Sequence, residues 1–230
     1  MTISTFSFPT TVHFGSGSSR LVGSHLAASG ITRPLVVTDA GVAGLDWFAE
    51  WVATVPDATV FAGVHGNPVA AHVRDGVDAY ASASADGVVG IGGGAALDVA
   101  KAIALMATHT GELWDYEDEV PGARPITDAV APIIAVPTTA GTGSEVGRSA
   151  VIADDDTHVK RIVFSPHLLA RTVYADPELT LGLPTAITAA TGMDALTHNV
   201  EAYLACASPT STSRPRWPNP STCTRAPACS

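Results

Sequence analysis

Asp194 and His198 are the residues whose types and spacing best suit catalytic chemistry in this chain. They lie four positions apart in the segment GMDALTH, residues 192–198, which follows Pro184 and is typical of a helix. Side chains at i and i+4 share one helical face, so a carboxylate oxygen and an imidazole nitrogen can bind the same divalent cation. Catalytic metal sites usually have three protein ligands, and the remaining ones should come from farther along the chain, which stops at Ser230. On spacing alone, an ordinary carboxylate–imidazole pair on a helix is the more common arrangement.

Two loops rich in glycine and threonine are candidates for binding a phosphorylated cofactor. Gly92, Gly93 and Gly94 follow an apolar run and open a helix, where backbone N–H groups and the helix N-terminus favour a phosphate. The segment PTTAGTGSE, residues 137–145, follows another apolar run and offers threonine hydroxyls beside glycine backbone. Either loop alone could be a turn without a ligand, and the glycine turn matches neither the G-x-G-x-x-G nor the Walker pattern.

Asp39 ends a third apolar run. A carboxylate there can accept hydrogen bonds from the hydroxyls of an adenosine ribose and would repel a 2′-phosphate. Aspartates at strand ends are also common caps of turns and helices. Both interpretations of Asp39 remain open from the sequence.

The elements that would position these residues alternate between strand-like and helix-like stretches. Apolar runs predict buried parallel strands at residues 34–39, 58–64, 87–91 and 130–136. Helical patterns fall roughly at residues 18–28, 41–54, 69–84 and 95–108. This alternation predicts an α/β fold with a parallel sheet covered on both faces, whose ligands bind at the carboxyl ends of the strands. After residue 181 one long helical segment, 185–204, predicts the start of an all-α domain.

Composition excludes some classes of function. The chain is 46% hydrophobic, enough for a substantial core, and its net charge of −10 argues against a nucleic-acid surface. No apolar run reaches membrane-spanning length and the polar start lacks a signal peptide, so we expect no membrane partner and a cytoplasmic location. Residues 213–230 are rich in proline and lack hydrophobic periodicity. We interpret them as out-of-frame translation in preference to a flexible, disordered tail.

Together these segments resemble the iron-containing (group III) alcohol dehydrogenase family. The matching segments run in the family's order from near residue 10 to near residue 212. They are FGSG (14–17), VTD (37–39), GNP (66–68), GGGAALDVAK (92–101), PTTAGTGSE (137–145), ADP (175–177) and GMDALTHNVEAY (192–203). The resemblance implies a dehydroquinate synthase-like α/β dinucleotide-binding domain over residues 1–181. The first part of a helical metal-binding domain would follow over residues 182–212, with catalysis in the cleft between the two.

The same resemblance implies roles for single residues. Gly93 and Gly94 would bind the pyrophosphate of NAD, Asp39 the adenosine ribose, and Lys160 the nicotinamide-side ribose. Asp98 would lie near the nicotinamide and the substrate as a catalytic residue, and Asp194 and His198 would hold Fe²⁺, or else Zn²⁺. The threonines that would line the cofactor are Thr138, Thr139 and Thr142.

The implied reaction is hydride transfer between NAD, in preference to NADP, and a small primary alcohol or aldehyde. The family forms homo-oligomers at full length and has two more metal-binding histidines, whereas no histidine follows His198 here, so we expect impaired activity in this truncated or frameshifted chain. Two alternatives stay open: a metal-independent maleylacetate reductase-like enzyme, which the Asp194–His198 pair disfavours, and an inactive nucleotide-binding remnant. We also expect the long helix to expose apolar side chains that would pack against absent helices, among them Leu196 and Val200.

Overall fold

The structure is a computed structural model that describes residues 4–7 and 10–207 of the chain. The strands in this part are β1 (Ser4–Ser7), β2 (Thr11–Phe14), β3 (Pro34–Asp39), β4 (Thr59–Val64), β5 (Gly87–Gly92), β6 (Ile133–Pro137), β7 (Ser149–Ala153), β8 (Lys160–Phe164) and β9 (Thr172–Ala175). The α-helices are α1 (Val22–Leu26), α2 (Ala40–Ala43), α3 (Asp46–Val52), α4 (Ala70–Ser82), α5 (Gly94–Met106) and α6 (Thr185–Ala207).

A seven-stranded sheet organises the described residues. Its strand order is β1-β2-β9-β6-β5-β3-β4, and every neighbouring pair is parallel except β1 and β2. The pairing of β5 with β6 runs from Val88 opposite Ile133 to Gly92 opposite Pro137, so the two strands end level with each other. The predicted parallel-sheet α/β fold is confirmed, and the loops that follow β3, β5, β6 and β9 share one edge of the sheet.

The sheet is covered on both faces, as the fully apolar strands require. Successive residues of β3 point to opposite faces: Leu35 and Val37 join the cluster packed on α4 and α5, while Val36 joins the cluster packed on α1 and α3. Trp51 of α3 is buried in the second cluster. The interior of α5 is almost wholly apolar, which fixes this helix, and therefore its N-terminus, rigidly against β5.

The predicted elements differ from the observed ones mainly at their boundaries. The helix predicted over residues 41–54 is two helices, α2 and α3, because Leu45 has an extended backbone that interrupts them. The segment 18–28 forms a 3₁₀ turn, the short α1 and the start of a second 3₁₀ turn. Strands β1, β2, β7, β8 and β9 were not predicted, and β7 and β8 form a separate antiparallel hairpin.

Helix α6 lies at the end of the described residues. The predicted exposure of its apolar side chains is confirmed, since Leu196 is 55% and Val200 is 47% exposed. The division of the chain into domains at residues 181 and 182 stays a prediction. The interpretation of residues 213–230 as out-of-frame or disordered falls outside the described residues. Over the described part, no helix is long and apolar enough to cross a membrane.

Candidate active site

A glycine turn joins β5 to α5. Gly92 has φ 147°, a value that side chains rarely adopt, and a Cβ there would lie 2.7 Å from the Cβ of Ala96. Gly93 is the N-cap of α5, and no side chain of the described residues caps this helix. The N–H groups of the first turn of a 13-residue helix are therefore left for a ligand, and they favour an anion.

The threonine loop, residues 138–143, packs directly on this turn. The backbone N–H of Thr138 donates to the carbonyl oxygen of Gly92 at 3.0 Å, which continues the β5–β6 pairing into the loops. A Cβ built on Gly94 would lie only 2.8 Å from the Oγ1 of Thr142, and one built on Gly93 would lie 3.4 Å from the Oγ1 of Thr139. A side chain at Gly94 would thus crowd Thr142, whereas one at Gly93 would make only an ordinary contact with Thr139. The threonine hydroxyls line the approach to the α5 N-terminus.

Asp39 lies on the other side of the glycine turn. Its Oδ1 accepts a hydrogen bond from the N–H of Val42 at 2.9 Å and so caps α2. Its Oδ2 lies 3.2 Å from the position that a Cβ on Gly92 would take. The capping interpretation is therefore correct for one oxygen, while the other oxygen faces the turn, where it remains free to contact a ligand.

The side chains of Asp194 and His198 lie together on α6, as their spacing predicts. The Nε2 of His198 is 3.6 Å from the Oδ1 of Asp194, and both side chains are partly exposed. The Oδ2 of Asp194 is buried without a hydrogen-bond partner among the described residues, and it lies 3.1 Å from the position of a Cβ on Gly141. A shielded carboxylate oxygen without a partner is costly, and a bound cation would satisfy it.

This carboxylate and imidazole fit half of a metal site. Oxygen and nitrogen donors suit Fe²⁺ or Zn²⁺. The described residues contain no group of three or more His, Cys, Asp or Glu side chains able to hold a metal ion. The threonine loop thus contacts the glycine turn through Thr142 and the half-site through Gly141, so one loop joins the two candidate sites.

Comparison with known proteins identifies the family. Residues 9–177 match the family model described as iron-containing alcohol dehydrogenase. The chain belongs to the iron-containing alcohol dehydrogenase family. It is 48% identical over 198 residues to the 4-hydroxybutyrate dehydrogenase of Cupriavidus necator, a match that covers 85% of this chain and 52% of that relative.

Solved structures of this family have the same fold. The sulfoacetaldehyde reductase of Bifidobacterium kashiwanohense, in complex with NAD⁺, matches with a TM-score of 0.79 at 30% identity, over 85% of this chain and 52% of that one. The maleylacetate reductase of Rhizobium sp. strain MTP-10005 matches with a TM-score of 0.68 at 31% identity, over 89% and 51%. The chain spans about half the length of the relatives it matches.

Asp98 of this family member lies one helical turn into α5 and has both carboxylate oxygens engaged. Its Oδ1 accepts from the hydroxyl of Ser144 at 2.6 Å, and its Oδ2 accepts from the N–H of Val151 at 3.1 Å. These contacts tie the end of the threonine loop and the β7–β8 hairpin to α5. A position near the nicotinamide and the substrate stays a prediction for Asp98, whose observed contacts are structural.

Lys101 is a site-associated residue to which the sequence assigned no role. It is 1% exposed, and its Nζ lies 2.9 Å from Ser144 Oγ, 2.8 Å from Ser149 O and 3.4 Å from Asp98 Oδ1. Burial lowers the pKa of this ammonium, against the opposing effect of the Asp98 carboxylate. The available signal was its spacing of three from Asp98, which places both side chains on one helical face.

Lys160 lies on β8, opposite Ala153 in the hairpin. Its side chain is exposed and lines a surface depression together with Glu117 and Glu119. The predicted contact of Lys160 with the nicotinamide-side ribose stays a prediction, because this arrangement does not test it.

Asp176, in the ADP segment, has a purely structural arrangement. Its carboxylate accepts from the N–H of Gly17 at 3.1 Å, the hydroxyl of Ser19 at 2.7 Å and the N–H of Glu178 at 3.1 Å. The FGSG and ADP segments of the family pattern are therefore joined through the Asp176 carboxylate, a contact that could not be predicted from the sequence alone.

Proposed function

We propose that this family member transfers hydride between NAD and a small primary alcohol or aldehyde in the cleft between the carboxyl edge of the sheet and α6. One observation carries the proposal: the threonine loop contacts both the glycine turn and the buried oxygen of Asp194. A cofactor held at the turn and a substrate held at the half-site would therefore lie on either side of a single loop. Because the chain spans half of its relatives' length, the activity is proposed for the protein completed by a helical domain.

The cofactor proposal assigns the pyrophosphate to Gly93 and Gly94, where the uncapped N-terminus of α5 favours negative charge. Thr138, Thr139 and Thr142 would line the cofactor, and Lys160 would reach the nicotinamide-side ribose. The free Oδ2 of Asp39 would accept from the adenosine ribose and repel a 2′-phosphate, so NAD is preferred over NADP. The NAD⁺ complex of the Bifidobacterium relative supports this choice.

The metal proposal assigns a divalent cation, Fe²⁺ or else Zn²⁺, to Asp194 and His198. When bound, NAD supplies the hydride acceptor and the cation supplies Lewis-acid polarisation of the substrate oxygen, which lowers the pKa of the alcohol. The chain's own residues would orient the two: the N-terminus of α5 would hold the pyrophosphate of NAD, and α6 would present the carboxylate and imidazole to the cation. A cation held by two protein ligands alone binds weakly, so we propose that a helical domain beyond the described residues supplies further ligands and that catalysis by the 230 residues alone is impaired.

The first test is calorimetric titration of the 230-residue chain with NAD⁺ and with NADP⁺. We expect measurable NAD⁺ binding and weaker NADP⁺ binding, because of the charge of Asp39. Gly94→Val is the matched control, since even a Cβ at this position would lie 2.8 Å from Thr142 Oγ1 and the larger side chain would fill the turn. Absence of NAD⁺ binding by the wild-type chain, or equal affinity in Gly94→Val, would contradict the proposed site.

The second test concerns the substrate. Oxidation of 4-hydroxybutyrate with NAD⁺ should be assayed first, using a full-length version, because the Cupriavidus relative of that name is 48% identical to this chain. Size-exclusion chromatography with light scattering on the same sample tests our further proposal that the complete enzyme is a homo-oligomer.

A metal-independent, maleylacetate reductase-like activity is the second candidate, favoured by the structural match to the Rhizobium enzyme. The buried oxygen of Asp194, which has no hydrogen-bond partner within the part of the chain that the structure describes, argues against it. A chelator distinguishes the two, because metal removal should abolish alcohol oxidation under the first proposal and leave maleylacetate reduction unchanged under the second. NAD⁺ binding with no turnover in the full-length protein would instead identify an inactive remnant.

A further inference from the structure

We propose that Lys101 is a positioning residue that holds the threonine loop against the glycine turn and so sets the shape of the pyrophosphate site; this rests on the proposed NAD-binding function. Lys101 is deep in α5, at 1% exposure, and does not itself face a cofactor at the helix N-terminus. Any effect on cofactor binding must therefore pass through the groups that its ammonium contacts.

The contacts of Lys101 reach three separate segments. Its Nζ lies within 2.9 Å of Ser144 Oγ at the end of the threonine loop and within 2.8 Å of Ser149 O at the start of β7. Its third neighbour is Asp98 Oδ1, at 3.4 Å on the same helix. An ammonium has three N–H donors, so these acceptors use all of its capacity.

Ser144 is the central group of this network. Its hydroxyl oxygen accepts from Lys101 while its O–H donates to Asp98 Oδ1 at 2.6 Å, and Asp98 Oδ2 in turn accepts from the N–H of Val151. Ser144 follows Thr142 by two residues and Gly141 by three. Fixing Ser144 therefore fixes the contact of Thr142 with Gly94.

The charge of Lys101 matters as well as its hydrogen bonds. Asp98 is largely buried, and Glu145, next to Ser144, has its pKa raised by burial, against the opposing effect of Lys101. Removing the ammonium would leave the Asp98 carboxylate beside an apolar stem, a costly state that opening of the loop to water would relieve. The threonine loop would then move away from its position against the glycine turn, while the apolar side chains of α5 stay packed.

The test compares Lys101→Met with Ser144→Ala and with Asp86→Asn. Methionine keeps much of the length and apolar volume of the stem, and Ser144→Ala cuts the same network from the loop side in case Lys101→Met folds poorly. Asp86→Asn is the matched control, because Asp86 is a hydrogen-bonded carboxylate that precedes β5 at the opposite edge of the sheet. All three are examined by amide hydrogen exchange without ligand and by titration with NAD⁺ and AMP.

We expect Lys101→Met and Ser144→Ala to speed exchange in residues 139–147 and at the Val151 amide, whereas Asp86→Asn leaves these amides unchanged. NAD⁺ affinity should fall about tenfold in Lys101→Met, as loss of charged hydrogen bonds allows. AMP affinity should stay within about twofold, because AMP lacks the second phosphate and the nicotinamide half of NAD. A double variant that carries both Lys101→Met and Ser144→Ala should lose no more NAD⁺ affinity than Lys101→Met alone, because both changes break one network.

Unchanged loop exchange in both network variants would overturn the positioning role, and so would equal losses of NAD⁺ and AMP affinity. Absence of NAD⁺ binding by the wild-type chain would overturn the proposed function instead. The exchange experiment without ligand would still decide whether Lys101 holds the loop.

Discussion

The two edges of the sheet differ in how fully their polar side chains are hydrogen-bonded. At the amino edge, Asp86 accepts from the N–H groups of Thr32 and Arg33 and from the Thr32 hydroxyl, so its oxygens serve the fold. At the carboxyl edge, some buried polar atoms have no hydrogen-bond partner among the described residues. Among the described residues, the buried side-chain atoms without a hydrogen-bond partner are Ser18 Oγ, Thr38 Oγ1 and Asp194 Oδ2.

All three of these atoms lie at or against the carboxyl edge: Ser18 soon after β2, Thr38 near the end of β3, and Asp194 against the loop that follows β6. Buried polar groups without partners are rare in folded proteins because they cost free energy. These three atoms lie at the carboxyl edge, whereas the Asp86 carboxylate at the amino edge already has its hydrogen bonds. The difference identifies the edge where spare hydrogen-bonding capacity remains for a ligand.

The largest effect should come from Asp176, a buried carboxylate at the carboxyl edge whose two oxygens both accept hydrogen bonds. Asp176→Ala removes the acceptor for Gly17, Ser19 and Glu178 at a position only 3% exposed. We expect the free energy of unfolding to fall by about 3 kcal/mol, because buried donors lose their partner. Urea denaturation followed by tryptophan fluorescence measures this loss. A loss below about 1 kcal/mol would show that these contacts are dispensable.

A smaller effect is expected at the amino edge. Asp86→Asn should lower the free energy of unfolding by about 1–2 kcal/mol, since the charge-assisted hydrogen bonds of this carboxylate are weakened. NAD⁺ affinity should not change, because the amino edge serves the fold and not the cofactor. A clear loss of NAD⁺ affinity would contradict this difference between the two edges.

The contribution of Asp86 should also depend on pH. Burial raises the pKa of Asp86, but hydrogen bonds from Thr32 and Arg33 outweigh it and hold the pKa below 3.8. The folded state therefore binds the proton less readily than the unfolded chain. The stability that Asp86 adds is present above about pH 4 and is lost as the pH falls through the folded pKa. The denaturation midpoints of wild type and Asp86→Asn should thus become equal once the pH is below the folded pKa of Asp86.

The smallest stability effect, with the largest change in ligand preference, is expected at Asp39. Asp39→Ser keeps an oxygen that can cap α2 and should cost less than about 1 kcal/mol. Removing the charge that faces the glycine turn should narrow the preference for NAD⁺ over NADP⁺ in calorimetric titrations. An unchanged preference would mean that Asp39 serves only as a helix cap.

The parallel sheet could be predicted from sequence because its central strands β3, β5 and β6 are short, mainly apolar runs that end in aspartate, glycine and proline, respectively. Strands β2 and β9 could not, since each has only four residues and depends on pairing with the other. The β7–β8 hairpin was not predicted from the sequence for a different reason. Its strand Lys160–Phe164 places charged and apolar residues together on the exposed face, which obscures the usual alternation.

The candidate site was predictable only in part. The glycine turn, the threonine loop and the Asp194–His198 pair follow from residue types and local spacing. The contact of Gly141 with Asp194 and the burial of Lys101 depend on the packing of segments more than 40 residues apart. A lysine on α5 carries no local sign that its ammonium is enclosed, so pattern reading assigned it no role.

The level ending of β5 and β6, with Gly92 opposite Pro137, has a consequence for changes of chain length. An inserted residue between Gly92 and Gly94 would displace the glycine turn relative to Thr142, whose Oγ1 already lies 2.8 Å from the position of a Cβ on Gly94. The exposed residues 120–123 carry no such constraint on either loop. Peptide tags or whole inserted domains are therefore best placed there. The glycine turn and the threonine loop, in contrast, should not tolerate a change in the number of residues.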